Sequence, residues 1–297
     1  MVSLRQLVSC CVSAAVSAGD VASSIQKAGV ESLRTENKAL AADAPKDFVT
    51  AADKQGQVRI FTILKTEYPD LQIVGEEQEE GDPAGFTAAV DAAFEQWAQR
   101  HWEDDTEMNM DDVLLYVDPI DGTSSLVKQK NLHICMVMIG ICYKGVPVAG
   151  VLHQPFTPDR KTYWGVVGVG SNIEVAPSEE GRLRVTTSNR RVPLTKHRLQ
   201  NIPYTELITQ SGAGWKTLQV IEGHADAYVY PMTGTSKWDS CGPEAILAAC
   251  GGVLTDIYGK KIDYLDTEHT KNEKGVVATL SAALHDDIIA KIVLTDE

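Results

Sequence analysis

Paired cysteines and histidine-rich metal motifs are missing from this 297-residue sequence. Its six cysteines form no C-x-x-C pair, and no set of cysteines and histidines has the spacing of a zinc site. No asparagine stands in an N-x-S/T acceptor sequence for glycosylation. These absences argue against a structural zinc protein. They also predict a reducing, cytoplasmic compartment in which the cysteines serve as small core residues.

A long uninterrupted apolar run is also missing. Residues 1–28 carry apolar side chains at helical spacing, but Asp20 and Lys27 interrupt them, and no run is long enough to cross a bilayer. The weakly basic start and the scattered serines disfavour a secretory signal. We predict an amphipathic helix that packs on the protein and ends near Gly29, with a cleaved organelle presequence as the alternative.

Positive charge is in short supply. The sequence has 27 lysines and arginines and 41 acidic residues, which gives a formal net charge of −14. A nucleic-acid polymer is therefore not expected as a partner, since such binding depends on cationic neutralisation of phosphates. Residues 182–198 oppose this balance, because they hold five arginines, Lys196 and His197 and no acidic residue. This segment is either a solvated basic face or a local site for a small anionic substrate.

The predicted helices and strands occur in a mixed order. In the first half, helices are predicted at 1–28, 51–68 and 84–102, strands at 71–74 and 113–117, and a β-hairpin at 133–143 and 147–153. In the second half, strands are predicted at 161–167, 171–175, 183–186, 225–230 and 276–280, and helices at 212–222, 241–250 and 282–294. The order predicts an α+β lobe over residues 1–156 and an α/β lobe over residues 157–297.

One stretch, Val-Asp-Pro-Ile-Asp-Gly-Thr at residues 117–123, stands out. The apolar run before it predicts a buried strand, and Asp118 and Asp121 follow with Pro119 between them. The proline holds the preceding residue extended, and the glycine permits a close approach of the backbone to a ligand. Two fixed carboxylates suit a Mg²⁺ ion that also contacts a phosphate, whereas their spacing excludes an EF-hand calcium loop. A solvated turn is the alternative interpretation of these residues alone.

Further carboxylates share this setting at a strand end or a helix start, and each alone has an ordinary explanation as a cap or a loop charge. Together with neighbouring residues, these carboxylates form an ordered pattern along the chain: Asp53, Glu76-Glu77, residues 118–123, Trp238-Asp239 and Gly251-Gly252. This order resembles the lithium-sensitive, magnesium-dependent phosphatase superfamily, which contains inositol monophosphatase and fructose-1,6-bisphosphatase. The resemblance spans nearly the whole chain and implies a layered αβαβα sandwich. The second half is most similar to the bisphosphate nucleotidases, through residues 211–216, 221–229, 237–244 and 275–280.

The resemblance implies two metal positions built from oxygen ligands. A first Mg²⁺ would be held by Glu76, Asp118 and the backbone carbonyl of Ile120. A second would be held by Asp118, Asp121 and Asp239, and a third, weaker ion near Glu76 is left open. Two such ions would neutralise phosphate charge and lower the pKa of a bound water.

The resemblance also implies which residues act on the substrate. Asp53 and the hydroxyl of Thr123 would form a dyad that orients and deprotonates the attacking water. The implied substrate contacts are Gly122, Thr123, Thr187, Gly212 and Lys216. Arg190 stands where the family usually has a histidine. An arginine grips phosphate by a bidentate fork, but it cannot make the contact of a neutral imidazole with a sugar or base.

A Mg²⁺-dependent, lithium-sensitive phosphatase is therefore expected, one that removes the 3′-phosphate of adenosine 3′,5′-bisphosphate and forms AMP. The 2′,5′ isomer and phosphoadenylyl sulfate are the related substrates. Arg190 and the basic segment keep an inositol polyphosphate 1-phosphatase as the alternative, alone or as a second activity. A non-catalytic sensor of metal and phosphate is the alternative from another class, although no catalytic position is missing. We expect a monomer or weak dimer whose partner is a small phosphorylated substrate, with no membrane association.

Overall fold

The computed structural model describes residues 1–38, 48–77, 89–176 and 181–294. Its helices are α1 (Leu4–Lys27), α2 (Ala51–Glu67), α3 (Ala92–His101), α4 (Thr123–Lys128), α5 (Val192–Arg198), α6 (Ala213–Ile221), α7 (Lys237–Ala249) and α8 (Ala282–Lys291). Its strands are β1 (Val2–Ser3), β2 (Glu36–Asn37), β3 (Phe48–Val49), β4 (Gln72–Gly75), β5 (Glu107–Met108), β6 (Val113–Asp121), β7 (Met136–Tyr143), β8 (Val146–His153), β9 (Thr162–Val166), β10 (Gly170–Ser171), β11 (Arg184–Ser188), β12 (Glu206–Gln210), β13 (Ala227–Tyr230), β14 (Val253–Thr255) and β15 (Val276–Thr279).

The first large sheet has six strands in the order β10-β9-β8-β7-β6-β4. Neighbours from β6 to β10 pair antiparallel, while β4 runs parallel to β6. Every residue of β6 is buried, as its apolar run predicts for a strand that is covered on both faces. Helices α1 and α2 pack on one face, and α7 packs on the other.

The N-terminal helix α1 is built into this first core. The hydroxyl of its N-cap residue, Ser3, accepts a 3.0 Å hydrogen bond from the backbone N–H of Gln6. Gly29 follows the helix with a positive φ of 106°, so the predicted end is confirmed. By length and hydropathy α1 could span a membrane, but 61% of its most apolar window is buried inside the protein. Because it packs against α2 and β8, the core accounts for its apolar composition.

The second large sheet has five strands in the order β12-β11-β13-β15-β14. β11 runs parallel to both of its neighbours, and β15 runs antiparallel to both of its own. Helices α6 and α7 cover one face, and α8 covers the other. The layers therefore run helix, sheet, helix, sheet, helix, and the predicted αβαβα sandwich is confirmed.

Glycines allow α7 to lie very close to the first sheet. A Cβ at Gly150 would lie 2.1 Å from the backbone oxygen of Gly242, and a Cβ at Gly140 would lie 2.4 Å from its backbone nitrogen. A larger residue at either strand position would displace the helix, since interiors are close-packed. This close packing fixes the position of α7 over β7 and β8.

The start of α7 differs from the prediction. The helix begins at Lys237 rather than at residue 241, and Pro243 lies inside it rather than in its first turn. Ser236 is the N-cap, and the carboxylate of Asp239 bonds back to the backbone N–H of Ser236. This reciprocal capping starts the helix four residues earlier than the proline suggested.

Other differences lie at weakly patterned segments. The helix predicted over 84–102 is α3, which is shorter, and residues 84–88 of that prediction lie outside the described residues. The strand predicted over 171–175 is confined to β10. Helix α5 and strands β12 and β14 have no clear periodicity in the sequence and emerge only from the structure. The division into lobes at residue 156 stays a prediction, and β9, which follows that boundary, pairs with β8 inside the first sheet.

Candidate active site

Asp118 and Asp121 lie at the end of β6, where the strand is irregular. In a regular strand two residues three positions apart project to opposite faces. The pairing of β6 with β7 shifts register between these two residues, so the alternation is broken there. Their carboxylates come together with that of Asp239, each offering an oxygen within 4.8 Å of the others. Asp118 is 2% exposed and Asp121 7%, so these charges are held away from bulk water.

Helix α7 supplies the third carboxylate of this group. Asp239 is the third residue of the helix, and its Oδ2 accepts a 2.6 Å hydrogen bond from the backbone N–H of Ser236. The bond satisfies one of the free N–H groups at the helix start and leaves Oδ1 for another partner. Within the described ranges, Asp118, Asp121 and Asp239 form the group of acidic side chains close enough to hold one ion.

Glu76 lies directly after β4, beside the strand that carries the two aspartates. Its backbone N–H donates to the carbonyl of Val117 at 3.0 Å. Its carboxylate lies 3.1 Å from Nζ of Lys38, which also lies 2.9 Å from the carboxylate of Glu77. A lysine therefore neutralises Glu76 in this structure, at the edge of the cluster where the sequence predicts a metal ligand.

Burial raises the pKa of every carboxyl group in this cluster. The pKa of Glu76 rises to about 8 and that of Asp239 to about 7. The pKa values of Asp118 and Asp121 are also raised, with burial as the main cause. Neighbouring carboxylates raise the pKa of Asp118 and Asp239 further, because like charges oppose ionisation. The ionised cluster therefore needs a cation, and its oxygen ligands fit a hard divalent ion such as Mg²⁺.

Asp53 and Thr123 meet beside this cluster. Oδ1 of Asp53 lies 2.9 Å from the hydroxyl of Thr123, and Oδ2 accepts from the backbone N–H and the hydroxyl of Thr50 at 2.8 and 2.5 Å. The Thr123 hydroxyl also lies 2.9 Å from the carbonyl oxygen of Ile120, but it has one proton to donate. Burial raises the pKa of Asp53 to about 6. The carboxyl group of Asp53 can therefore take up and release a proton near neutral pH, as a general base requires.

Helix α6 brings Lys216 to the other side of the cluster. Lys216 is 3% exposed, donates to the carbonyl of Gly212 and lies with Nζ 5.0 Å from the ring centre of Tyr228. Burial lowers its pKa to about 8, although the nearby carboxylate of Asp121 acts to raise it. The backbone N–H of Gly214 donates to Asp121 at 2.8 Å. Lys216 thus places a buried positive charge next to the predicted metal ligands.

A cavity of about 540 Å³ lies over the cluster. The predicted site residues on its wall are Glu76, Asp118, Ile120, Asp121, Gly122, Thr123, Arg190, Gly212, Lys216 and Asp239. Asp53 reaches the wall through Thr123. Thr187 is fully buried in β11 and, among the described residues, is not part of the wall, whereas the next residue, Ser188, is. The structure therefore gathers nearly all of the predicted residues around one space.

Further residues also line this cavity. Arg191, Tyr230 and Lys271 lie on its wall, together with Lys38. Arg191 belongs to the basic segment 182–198, which the charge pattern indicated as a possible site for an anionic substrate. Lys271 and Lys38 lie in stretches of no distinct pattern, and only folding brings them to the site. The cavity thus combines a carboxylate cluster with several cations.

Comparison with known proteins identifies the family. A profile of the inositol monophosphatase family matches residues 3–295. The chain is 34% identical to the 3′(2′),5′-bisphosphate nucleotidase 1 of Dictyostelium discoideum over 302 residues, which cover 94% of each protein. It is 34% identical to the Homo sapiens protein of the same name over 246 residues, which cover 79% of each. The crystal structure of extragenic suppressor protein suhB from Bartonella henselae is similar with a TM-score of 0.72 at 20% identity, covering 96% of this chain and 98% of that one.

The chain belongs to the inositol monophosphatase family, and it is a phosphatase of that family. The resemblance inferred from the carboxylate order is therefore confirmed. The likeness to suhB, at lower identity, confirms the fold alone. The roles of the individual residues stay predictions, since neither likeness assigns them.

Proposed function

We propose that this protein is a Mg²⁺-dependent, lithium-sensitive phosphatase that hydrolyses the 3′-phosphate of adenosine 3′,5′-bisphosphate to give AMP. The observation that carries the proposal is the hydrogen bond between Asp53 and Thr123 beside a cluster of three carboxylates on one cavity. The relatives named 3′(2′),5′-bisphosphate nucleotidase 1 support the choice of substrate. The 2′,5′ isomer and phosphoadenylyl sulfate are the related substrates that we include.

The carboxylate cluster would hold the metal ions. Glu76, Asp118 and the carbonyl of Ile120 are assigned to one Mg²⁺, and Asp118, Asp121 and Asp239 to a second, while a third, weaker ion near Glu76 is left open. The fit rests on the oxygen-only ligands and on their burial, which raises their pKa values because the charged carboxylates are kept away from water. When bound, Mg²⁺ would supply charge neutralisation for the phosphate and acidify a water.

Asp53 and Thr123 would manage the proton of the attacking water. When Thr123 donates its single hydroxyl proton to Asp53, its oxygen lone pairs are free to accept a hydrogen bond from water. The water oxygen then forms a bond to phosphorus while the bond to the 3′-oxygen breaks, and the 3′-oxygen leaves with the bonding electrons and takes up a proton from solvent to become the hydroxyl of AMP. The water proton passes through the Thr123 oxygen to Asp53, whose raised pKa suits it as an acceptor.

Cations on the cavity wall would bind the second phosphate of the substrate. Arg190, Arg191 and Lys271 line the cavity, and the charge of Arg190 acts on both Lys216 and Asp239. An arginine can hold a phosphate through two parallel hydrogen bonds. A substrate with two phosphate groups would therefore match this site better than a monophosphate would.

The same cations favour one second candidate, an inositol polyphosphate 1-phosphatase, alone or as a second activity. Its substrate also carries more than one phosphate, and Arg190 replaces the histidine that the nucleotidase resemblance leads one to expect. An arginine binds phosphate without reproducing the contact of a neutral imidazole with a sugar or base. The identity of residue 190 is thus the feature that separates the two activities.

Phosphate release by the purified protein tests this proposal. Adenosine 3′,5′-bisphosphate and inositol 1,4-bisphosphate are compared with Mg²⁺, in the presence and absence of Li⁺. Fast release from the nucleotide that Li⁺ suppresses supports the nucleotidase, and preference for the inositol substrate supports the second candidate. Release from neither substrate would show that both assignments are wrong.

We also propose that the protein works in the cytoplasm as a monomer or weak dimer. All six cysteines are free, and five of them are buried, which suits a reducing compartment. The apolar helix α1 is a core element rather than an exposed one. Fractionation of cells that express the tagged full chain, followed by size-exclusion chromatography with light scattering, tests both parts.

A further inference from the structure

Asn272 is buried next to the start of α7 and has no role among the residues assigned so far. It is 6% exposed. Its Nδ2 lies 2.9 Å from the carbonyl oxygen of Ser236, 3.1 Å from the hydroxyl of Thr235 and 3.2 Å from the hydroxyl of Ser240. Its Oδ1 has no hydrogen-bond partner within the described ranges. The amide therefore contributes to the fold as a donor.

The partners of this amide flank Asp239 on both sides. Ser236 is the N-cap of α7, and Ser240 directly follows Asp239. The carbonyl of Ser236 accepts from Asn272, while the N–H of Ser236 donates to the Asp239 carboxylate at 2.6 Å. A shift of Ser236 would therefore move the carboxylate that this residue holds.

Backbone pairing brings Asn272 to this position. The N–H of Lys237 donates to the carbonyl of Thr270 at 2.7 Å, and the N–H of Asn272 donates to the carbonyl of Thr235 at 2.9 Å. Ser236 and Lys271 form an antiparallel bridge between these two bonds. The segment 270–272 thus pairs with the capping loop like a short strand. The alternation of a strand separates Lys271, which lines the cavity, from the buried Asn272.

We propose that Asn272 is a positioning residue for metal binding. Its amide holds Ser236, whose N–H donates to the Asp239 carboxylate, and it thereby fixes this carboxylate where it meets Asp118 and Asp121. This inference rests on the proposed role of Asp239 as a metal ligand. Partners that orient a ligand typically contribute 10- to 100-fold in metal affinity, so about that loss is expected without the amide.

Metal affinity and stability, measured side by side on the full chain, test this role. Mg²⁺ binding is followed by calorimetry and thermal unfolding by circular dichroism for the wild type, Asn272→Ala and Tyr264→Phe. Tyr264 is the matched control because its buried hydroxyl also bonds to α7, at Glu244 and Ser240, but not to Ser236. We expect both variants to unfold at lower temperature, and we expect Asn272→Ala alone to bind Mg²⁺ more weakly, by about 10- to 100-fold.

A second variant covers the case in which Asn272→Ala does not fold. Asn272→Asp keeps the shape of the side chain and replaces the amide donor with an oxygen, so it should also weaken Mg²⁺ binding. If the folded variant binds Mg²⁺ as tightly as the wild type, Asn272 is merely structural and the inference is overturned. If the wild type binds no Mg²⁺, the proposed metal site fails and this inference fails with it.

Discussion

The hydroxyl oxygen of Thr123 lies 2.9 Å from Oδ1 of Asp53, although 70 positions separate the two residues in the chain. Thr50 caps α2 and occupies Oδ2 of the same carboxylate through its backbone N–H and its hydroxyl. One carboxylate oxygen of Asp53 thus accepts the capping hydrogen bonds at the start of α2, and the other accepts a hydrogen bond from Thr123. The arrangement presents a fixed proton acceptor at the edge of the cavity.

Removal of the Thr123 hydroxyl should abolish most of the activity. Thr123→Ala is expected to lower kcat by about a hundredfold or more, because a positioned acid–base pair typically contributes that much. Thr123→Ser is the matched control, since it keeps the hydroxyl and should retain most of the rate. Steady-state phosphate release at saturating Mg²⁺ measures the effect. A Thr123→Ala enzyme close to the wild-type rate would show that the dyad assignment is wrong.

The metal-free protein should lose stability as the pH rises from about 4 to about 7. Burial raises the pKa of Asp239 from 3.8 to about 7, so this carboxyl takes up a proton on folding between those values. Its contribution to stability is complete below its unfolded pKa and disappears as the pH rises through its folded pKa. We expect Tm in EDTA to fall by about 5 °C over this range, and added Mg²⁺ at the higher pH to reverse the fall.

Asp239→Asn provides the control for this pH dependence. The amide does not ionise, so the variant should show a smaller change of Tm between the two pH values. Thermal unfolding in EDTA at both values measures the difference. An equal pH dependence in the variant and the wild type would assign the effect to other groups.

A methyl group at Gly150 should push α7 away from the first sheet. The added Cβ of Gly150→Ala would lie 2.1 Å from the backbone oxygen of Gly242, and overpacking of this kind costs about 1–3 kcal/mol in the free energy of unfolding. Gly56→Ala is the control, because its Cβ would meet Pro119 at an ordinary 3.5 Å. Urea unfolding measures both variants. If the two variants have equal free energies of unfolding, the close packing of α7 on the first sheet does not limit the size of residue 150.

Loss of Arg190 should weaken the binding of substrates with two phosphates. Arg190→Ala is expected to raise KM for adenosine 3′,5′-bisphosphate by about 10- to 100-fold, because a hydrogen bond to a charged group contributes about 1.5–3 kcal/mol. Adenosine 3′-monophosphate should be affected less. Arg182→Ala is the control from the same basic segment, where Arg182 pairs with Glu206 at 3.5 Å. An equal change of KM for both substrates would show that Arg190 does not bind the second phosphate.

The fold was predictable from the sequence where local pattern is strong. The apolar run before Asp118 marks β6, and the helix predicted over residues 51–68 is α2. The start of α7 was predicted wrongly, because Pro243 suggested a first turn where reciprocal capping by Ser236 and Asp239 begins the helix earlier. The position at which a helix begins depends on which side chains form capping hydrogen bonds, and the sequence alone does not show those bonds.

The sequence by itself determined that Asp118 and Asp121 lie close together at the end of a buried strand and what chemistry their carboxylates offer. Their spacing depends on backbone geometry over a few residues, which proline and glycine constrain. Only the tertiary structure decided that Asp239 and Lys271 meet them at one cavity. That meeting depends on the packing of α7 against the first sheet, and packing between elements distant in the chain is set by the shape of the whole core rather than by any local pattern.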